Sequence, residues 1–146
     1  MPTLTRRPDR DRRGCWRVFY GDVCVGTIGR RAGVPNGVDQ WEWGCGFYPG
    51  TDPGEGSSGT GATFEAARAA FEAAWRIFLP TRTEADFQAW RDQRDRTAWK
   101  YAMWDAGMKM PTQRPDGRSR CFCGSEIDIR STEQHIRDAH SRPVAA

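Results

Sequence analysis

Cys121, Cys123, His135 and His140 stand in a Cys-x-Cys-x11-His-x4-His array that takes in both histidines of the chain. Two thiolates and two imidazoles form a ligand set suited to a tetrahedral zinc ion, and the gaps lie close to the usual spacings of roughly two to four residues, about twelve, then three to five. Four protein ligands leave no open position for water, so the array predicts a structural zinc site. That site constrains folding more than any other feature here. So short a segment cannot bury an adequate core, whereas zinc binding supplies on the order of 10 kcal/mol to a finger peptide.

The residues around the ligands read consistently with a metal-stapled module over 121–142. Gly124, directly after Cys123, lets the backbone turn back toward the thiolates. Ile127 and Ile129 alternate like a short strand, and Ser131 with Gln134 forms a capping box for a helix holding His135, Ile136, Ala139 and His140. This order of cysteine hairpin and histidine helix resembles the two-Cys, two-His zinc finger family over about twenty residues at the C-terminus. The resemblance implies a ββα module with zinc at Cys121, Cys123, His135 and His140. In members that read DNA, base-contacting side chains lie near the helix start, with the first histidine about two turns in. Here His135 arrives in the first turn, so those positions fall beside or beyond the ligand.

Upstream, apolar residues alternate with period two in three runs: Trp16, Val18 and Tyr20; Val23, Val25 and Thr27; Trp41, Trp43, Cys45 and Phe47. Gly21-Asp22 and the stretch 33–37 supply the turns, which gives a three-stranded antiparallel meander. The glycine-rich stretch 50–61 reads as an exposed, flexible connection. Its Gly54, Gly56 and Gly59 match a phosphate-loop pattern, but Asp52 and Glu55 would repel phosphate and no parallel strand-helix-strand unit follows.

Thr63 caps a first helix marked by Phe64, Ala67, Phe71, Ala74, Trp75 and Phe78, which Pro80 stops. Thr83 and Asp86 cap a second, along which Phe87, Trp90, Arg94, Thr97, Tyr101, Trp104 and Met108 form the expected packing seam. The fold class is therefore α+β: three strands and two helices over 15–106, a basic disordered arm over 1–14, a linker over 107–120, the zinc module, and a tail over 143–146.

Composition bounds the function. Net charge is +3, and Arg6, Arg7, Arg10, Arg12 and Arg13 against Asp9 and Asp11 account for it within the arm. Twenty arginines against two lysines, with sixteen alanines, read as the codon bias of a GC-rich bacterial genome. No apolar stretch has the length of a membrane span or of a signal peptide, which predicts a cytoplasmic protein. Of five cysteines, Cys15, Cys24 and Cys45 are left as buried, inert thiols on strands. With both histidines committed to metal, no base remains for a nucleophile, and carboxylates such as Asp92 and Asp95 alternate with arginines as on a solvated helix face.

The segments Gly26-Thr27-Ile28, Gly46-Phe47-Tyr48-Pro49-Gly50 and Thr63-Phe64-Glu65-Ala66-Ala67-Arg68, together with the finger, resemble a family of small uncharacterised bacterial proteins. That resemblance implies no activity. The expected function is a non-enzymatic, nucleic-acid-associated protein with a regulatory role. Its partner surface would join Arg17, Arg30, Arg31, Trp41, Trp43 and Tyr48 on the sheet to Arg114, Arg118 and Arg120 beside the metal, without membrane or small-molecule substrate. The alternative is a protein-interaction adaptor or inhibitor encoded by a mobile element, using the aromatic surface as its interface.

Overall fold

The structure, a computed structural model, describes residues 2–143, so of the expected tail only Pro143 lies among them. The fold is α+β, with a five-stranded antiparallel sheet, three helices and a small two-stranded sheet. The chain divides into two compact units, one running through Trp90 and the other over Arg91–Pro143.

In the first unit, β1 (Leu4–Pro8), β2 (Cys15–Tyr20), β3 (Val23–Arg30), β4 (Trp41–Cys45) and β5 (Ser57–Gly61) pair in chain order. The three expected strands are thus β2, β3 and β4, and each outer one gains a neighbour. β1 occupies residues expected in the disordered arm. Its sequence, Leu-Thr-Arg-Arg-Pro, lacks apolar alternation because arginine stems and guanidinium groups cover aromatic rings instead. Arg6 lies 4.8 Å from the Trp16 ring and 4.5 Å from Phe64, and Arg7 lies 4.8 Å from Phe19.

β5 lies where a flexible glycine loop was expected, and two of its glycines permit close approach. A Cβ at Gly59 would come within 2.9 Å of Trp43 Nε1, and one at Gly61 within 2.8 Å of the Ala67 backbone nitrogen. The loop before β5 is held as well. Arg82, its side chain nearly buried, donates to the Gly50 carbonyl at 3.1 Å and pairs with Glu55 at 2.5 Å. Those bonds, with the Asp52 amide first among them, hold the Glu55 carboxyl below its usual range.

α1 (Phe64–Phe78) starts where Thr63 Oγ1 accepts from the Ala66 amide at 3.1 Å, and it lays Ala67, Phe71, Trp75 and Phe78 on the sheet. Val18, Val23, Val25, Ile28 and Cys45 meet them from the strands, and Phe47 and Phe87 close the cluster. Phe47, expected on a strand, lies past the end of β4 and stacks on Phe87 with centroids 5.1 Å apart.

α2 (Glu84–Asp105) begins at the reciprocal pair Thr83 and Asp86, and the boundary between the units falls within it. Its buried positions step by four through Phe87, Arg91, Asp95, Trp99 and Met103. The expected seam is corrected accordingly: Tyr101 is 67% exposed and Trp104 79%. Two charged residues inside the true stripe hid its period, leaving a better apolar match on the wrong face. Among the described residues no helix is long and apolar enough to cross a membrane.

The second unit adds β6 (Arg118–Arg120), β7 (Glu126–Asp128) and α3 (Thr132–Ala139). β6 and β7 pair antiparallel, with Arg118 opposite Asp128 and Arg120 opposite Glu126. The stretch expected as a linker, 107–120, therefore carries β6 and a 3-10 turn at Pro111–Gln113 whose proline is buried. Trp99, Met103, Cys121, Ile127 and Ile136 form this unit's core.

Candidate metal centre and partner surface

The knuckle is built by local hydrogen bonds. The Gly124 amide donates to the Cys121 carbonyl and the Cys121 amide to the Ser125 carbonyl, each at 2.8 Å, and Gly124 takes a left-handed φ of +97°. That reversal, which a side chain would strain, lets a one-residue spacer bring both sulfurs to one side. Ser125, through its hydroxyl 3.5 Å away and its amide, hydrogen-bonds Cys123 Sγ and pulls that thiol down to about 5. Such a thiol is largely thiolate at neutral pH, the form a metal binds.

α3 delivers the imidazoles. The expected capping box is replaced: Ser131 exchanges hydrogen bonds with Asp128, its amide donating to Oδ1 at 2.7 Å and its hydroxyl accepting from the Asp128 amide at 2.9 Å. Gln134 bonds Asp138 instead. Asp128 wins because β7 places it directly before the helix, where an Asx turn satisfies the same orphan amide. His135 sits in the first turn. A partner five residues on would point about 140° away on an ideal helix. His140, however, is the C-cap, with non-helical angles of −132° and 10°, and that unwinding returns its ring to the site.

The outcome is convergence. Cys121 Sγ lies 3.4 Å from His140 Nε2, Cys123 Sγ 3.4 Å from His135 Nε2, and the two Nε2 atoms 3.2 Å from each other. All four ligand atoms fall within 4.8 Å of one another, so the cluster can hold a metal ion. Beneath it, the buried Trp99 indole N–H donates to Cys121 Sγ at 3.3 Å. This supporting partner was not legible in the sequence, since Trp99 is 22 residues from Cys121 and shares no local motif with it. Phe122 covers the outer side, its ring 4.7 Å from that of His140.

The expected partner-surface residues of the first unit do not share one face of the sheet. Trp41 and Trp43 face α1 and contact Phe64 and Phe71 at ring separations of 5.4 and 6.5 Å, so they belong to the packing. Arg31 donates to the Asp39 carbonyl at 2.9 Å and is spent on the β3–β4 connection, while Arg30 is exposed at the end of β3. Arg114, Arg118 and Arg120 lie exposed in the second unit, with Arg120 paired to Glu126 at 3.1 Å. Arg17 and Tyr48 do meet, as two walls of one cleft of about 600 Å³ in the first unit.

Cys15 and Cys45 are not activated nucleophiles. Burial pushes the Cys45 thiol up to about 11, and burial also raises that of Cys15. Against protein-family models, curated proteins and solved structures, the chain finds no match.

Proposed function

We propose that this chain is a zinc-stapled, non-enzymatic binding protein whose partner is nucleic acid. The observation that carries the metal assignment is the spacing of the four ligand atoms. An ion about 2.3 Å from sulfur and about 2.05 Å from nitrogen in a tetrahedron would separate sulfur from nitrogen by about 3.6 Å and two nitrogens by about 3.3 Å. The corresponding distances here are 3.4, 3.4 and 3.2 Å. With its ligands supplied by the chain and no open position, the ion's role is to hold β6, β7 and α3 together.

The finger helix is a poor reader of bases. Its outward residues are already engaged: Glu133 with Arg96 of α2, Gln134 with Asp138 and Arg137 with Gln134. Nucleic-acid association therefore rests on the arginines of the first unit. Metal analysis should find about one zinc per chain, and the zinc-loaded protein should bind DNA or RNA with an affinity that falls steeply with salt. Absence of zinc from a folded second unit would sink the metal assignment. Absence of any binding at low salt would sink the nucleic-acid reading. The exposed Tyr101 and Trp104 favour a second reading, a protein partner on α2. It predicts that Tyr101→Ser with Trp104→Ser abolishes that association and leaves metal content unchanged.

A further inference from the structure

The five-stranded sheet has α1 on one face only, and its other face carries the least explained charges in the molecule. Arg7 of β1 and Arg17 of β2 are direct register partners. Like charges directly opposite on neighbouring strands repel. Both guanidinium groups lie against the same ring, at 4.8 and 5.3 Å from the Phe19 centroid, and among the described residues neither has an ion-pair partner. Arg12, also on this face, is already paired with Glu42 at 3.7 Å. Arg7 and Arg17 together form an unneutralised cationic pair on a rigid sheet.

Beside Arg17 the same face hollows into the cleft shared with Thr27, Gly44, Ser58, Tyr48 and Trp90. Gly44 makes its floor, and a Cβ built there meets nothing within 4 Å, so packing does not require the missing side chain. Tyr48 is 79% exposed at the rim. An aromatic ring left in water beside a bare floor offers a stacking plane.

We propose that this open face binds single-stranded nucleic acid, a phosphate lying between Arg7 and Arg17 and an adjacent base entering the cleft against Tyr48. The proposal rests on the nucleic-acid reading and sharpens it in strand type and place. A bound phosphate turns the cross-strand repulsion into a bridged contact, since guanidinium forks match phosphate oxygens. Single strands fit because only unstacked bases present a free face to a ring, and the face carries no projecting helix or ribbon to enter a duplex groove. Asp39 and Glu42, on the far side of the face, disfavour continuing the phosphate track across β4.

The test uses the full-length zinc-loaded chain and a fluorescently labelled oligothymidylate of about 15 nucleotides, with a duplex of the same length as competitor. Arg7→Gln with Arg17→Gln keeps much of each stem over Phe19 and should weaken binding at least tenfold. It should also reduce the slope of log affinity against log salt by about 0.7, the value for the one phosphate no longer neutralised. Gly44→Leu fills the cleft where space is open, so it should weaken binding while circular dichroism and metal content stay unchanged. Wild-type binding that ignores both changes, or a duplex competing better than the single strand, overturns this site and leaves the broader reading standing. No binding by the wild type to either strand form overturns both. Binding of an acidic peptide through the same arginines, without oligonucleotide, overturns the choice of ligand.

Discussion

The two units reach a defined structure by different means. Through Trp90, α1, the start of α2 and five strands enclose a core of eleven buried residues in which Phe47, Phe71, Trp75, Phe78 and Phe87 supply most of the volume. Over Arg91–Pro143, five buried residues suffice, one of them a cysteine of the cluster that can hold a metal ion. Apolar burial scales with area, at about 25 cal/mol per Å², whereas a metal centre concentrates its contribution in a few bonds. A small unit closed by a metal should therefore fail through its ligands, and the larger one through its packing.

The largest effect should come from removing a ligand. Cys121→Ser, or stripping with a strong chelator, takes away a contribution on the order of 10 kcal/mol. The expected result is loss of NMR dispersion for Arg91–Pro143, with the signals of β1–β5 and α1 still dispersed. Collapse of both sets would erase the distinction between the units.

Phe71→Ala attacks the other unit. Phe71 is 1% exposed at the centre of its cluster, and emptying that volume should cost about 3–5 kcal/mol. Urea denaturation should report that loss while zinc content per chain is unchanged. A fall in metal content would mean that the second unit depends on the first.

Trp99→Phe tests the join between core and centre inside the second unit. It keeps most of the ring volume and deletes the N–H to Cys121 Sγ. Metal affinity should drop about tenfold to a hundredfold, the usual range for removing a supporting hydrogen bond, read by competition with a chromogenic chelator. An unchanged affinity would reduce Trp99 to packing alone.

The smallest effect concerns the loop before β5. Glu55 has a folded-state pKa below its ordinary value, so its contribution is present above the unfolded pKa and disappears as pH falls through the folded one. Glu55→Gln should lower the melting temperature slightly at neutral pH. The difference from wild type should vanish in acid, and one that persists there would assign the effect to packing of the loop.

The sequence made some of this legible and concealed the rest for identifiable reasons. The ligand set, β2 to β4, α1 and the caps at Thr63 and Thr83 follow from side-chain period and from hydrogen bonds that span only a few residues. β1 did not, because its contacts with Trp16, Phe64 and Phe19 are made by arginines, which an apolar pattern does not count. β5 did not, because Gly59 and Gly61 look like a loop until Trp43 and α1 are seen resting on them. On α2, Arg91 and Asp95 interrupt the buried stripe. Trp41 and Trp43 were expected on the open side for a related reason: alternation places them on one face but does not say which face α1 will cover.

The placement of Trp99 and Met103 under the metal centre bears on where this module can be carried. A finger that supplied its own core could be cut at the first cysteine and moved between proteins as a cassette. Here the segment from Cys121 onward leaves behind Trp99 and Met103, two of the five residues of its interior. Any graft, truncation or natural recombination that preserves the fold must therefore break the chain upstream of Trp99, and the inheritable unit is longer than its ligand motif.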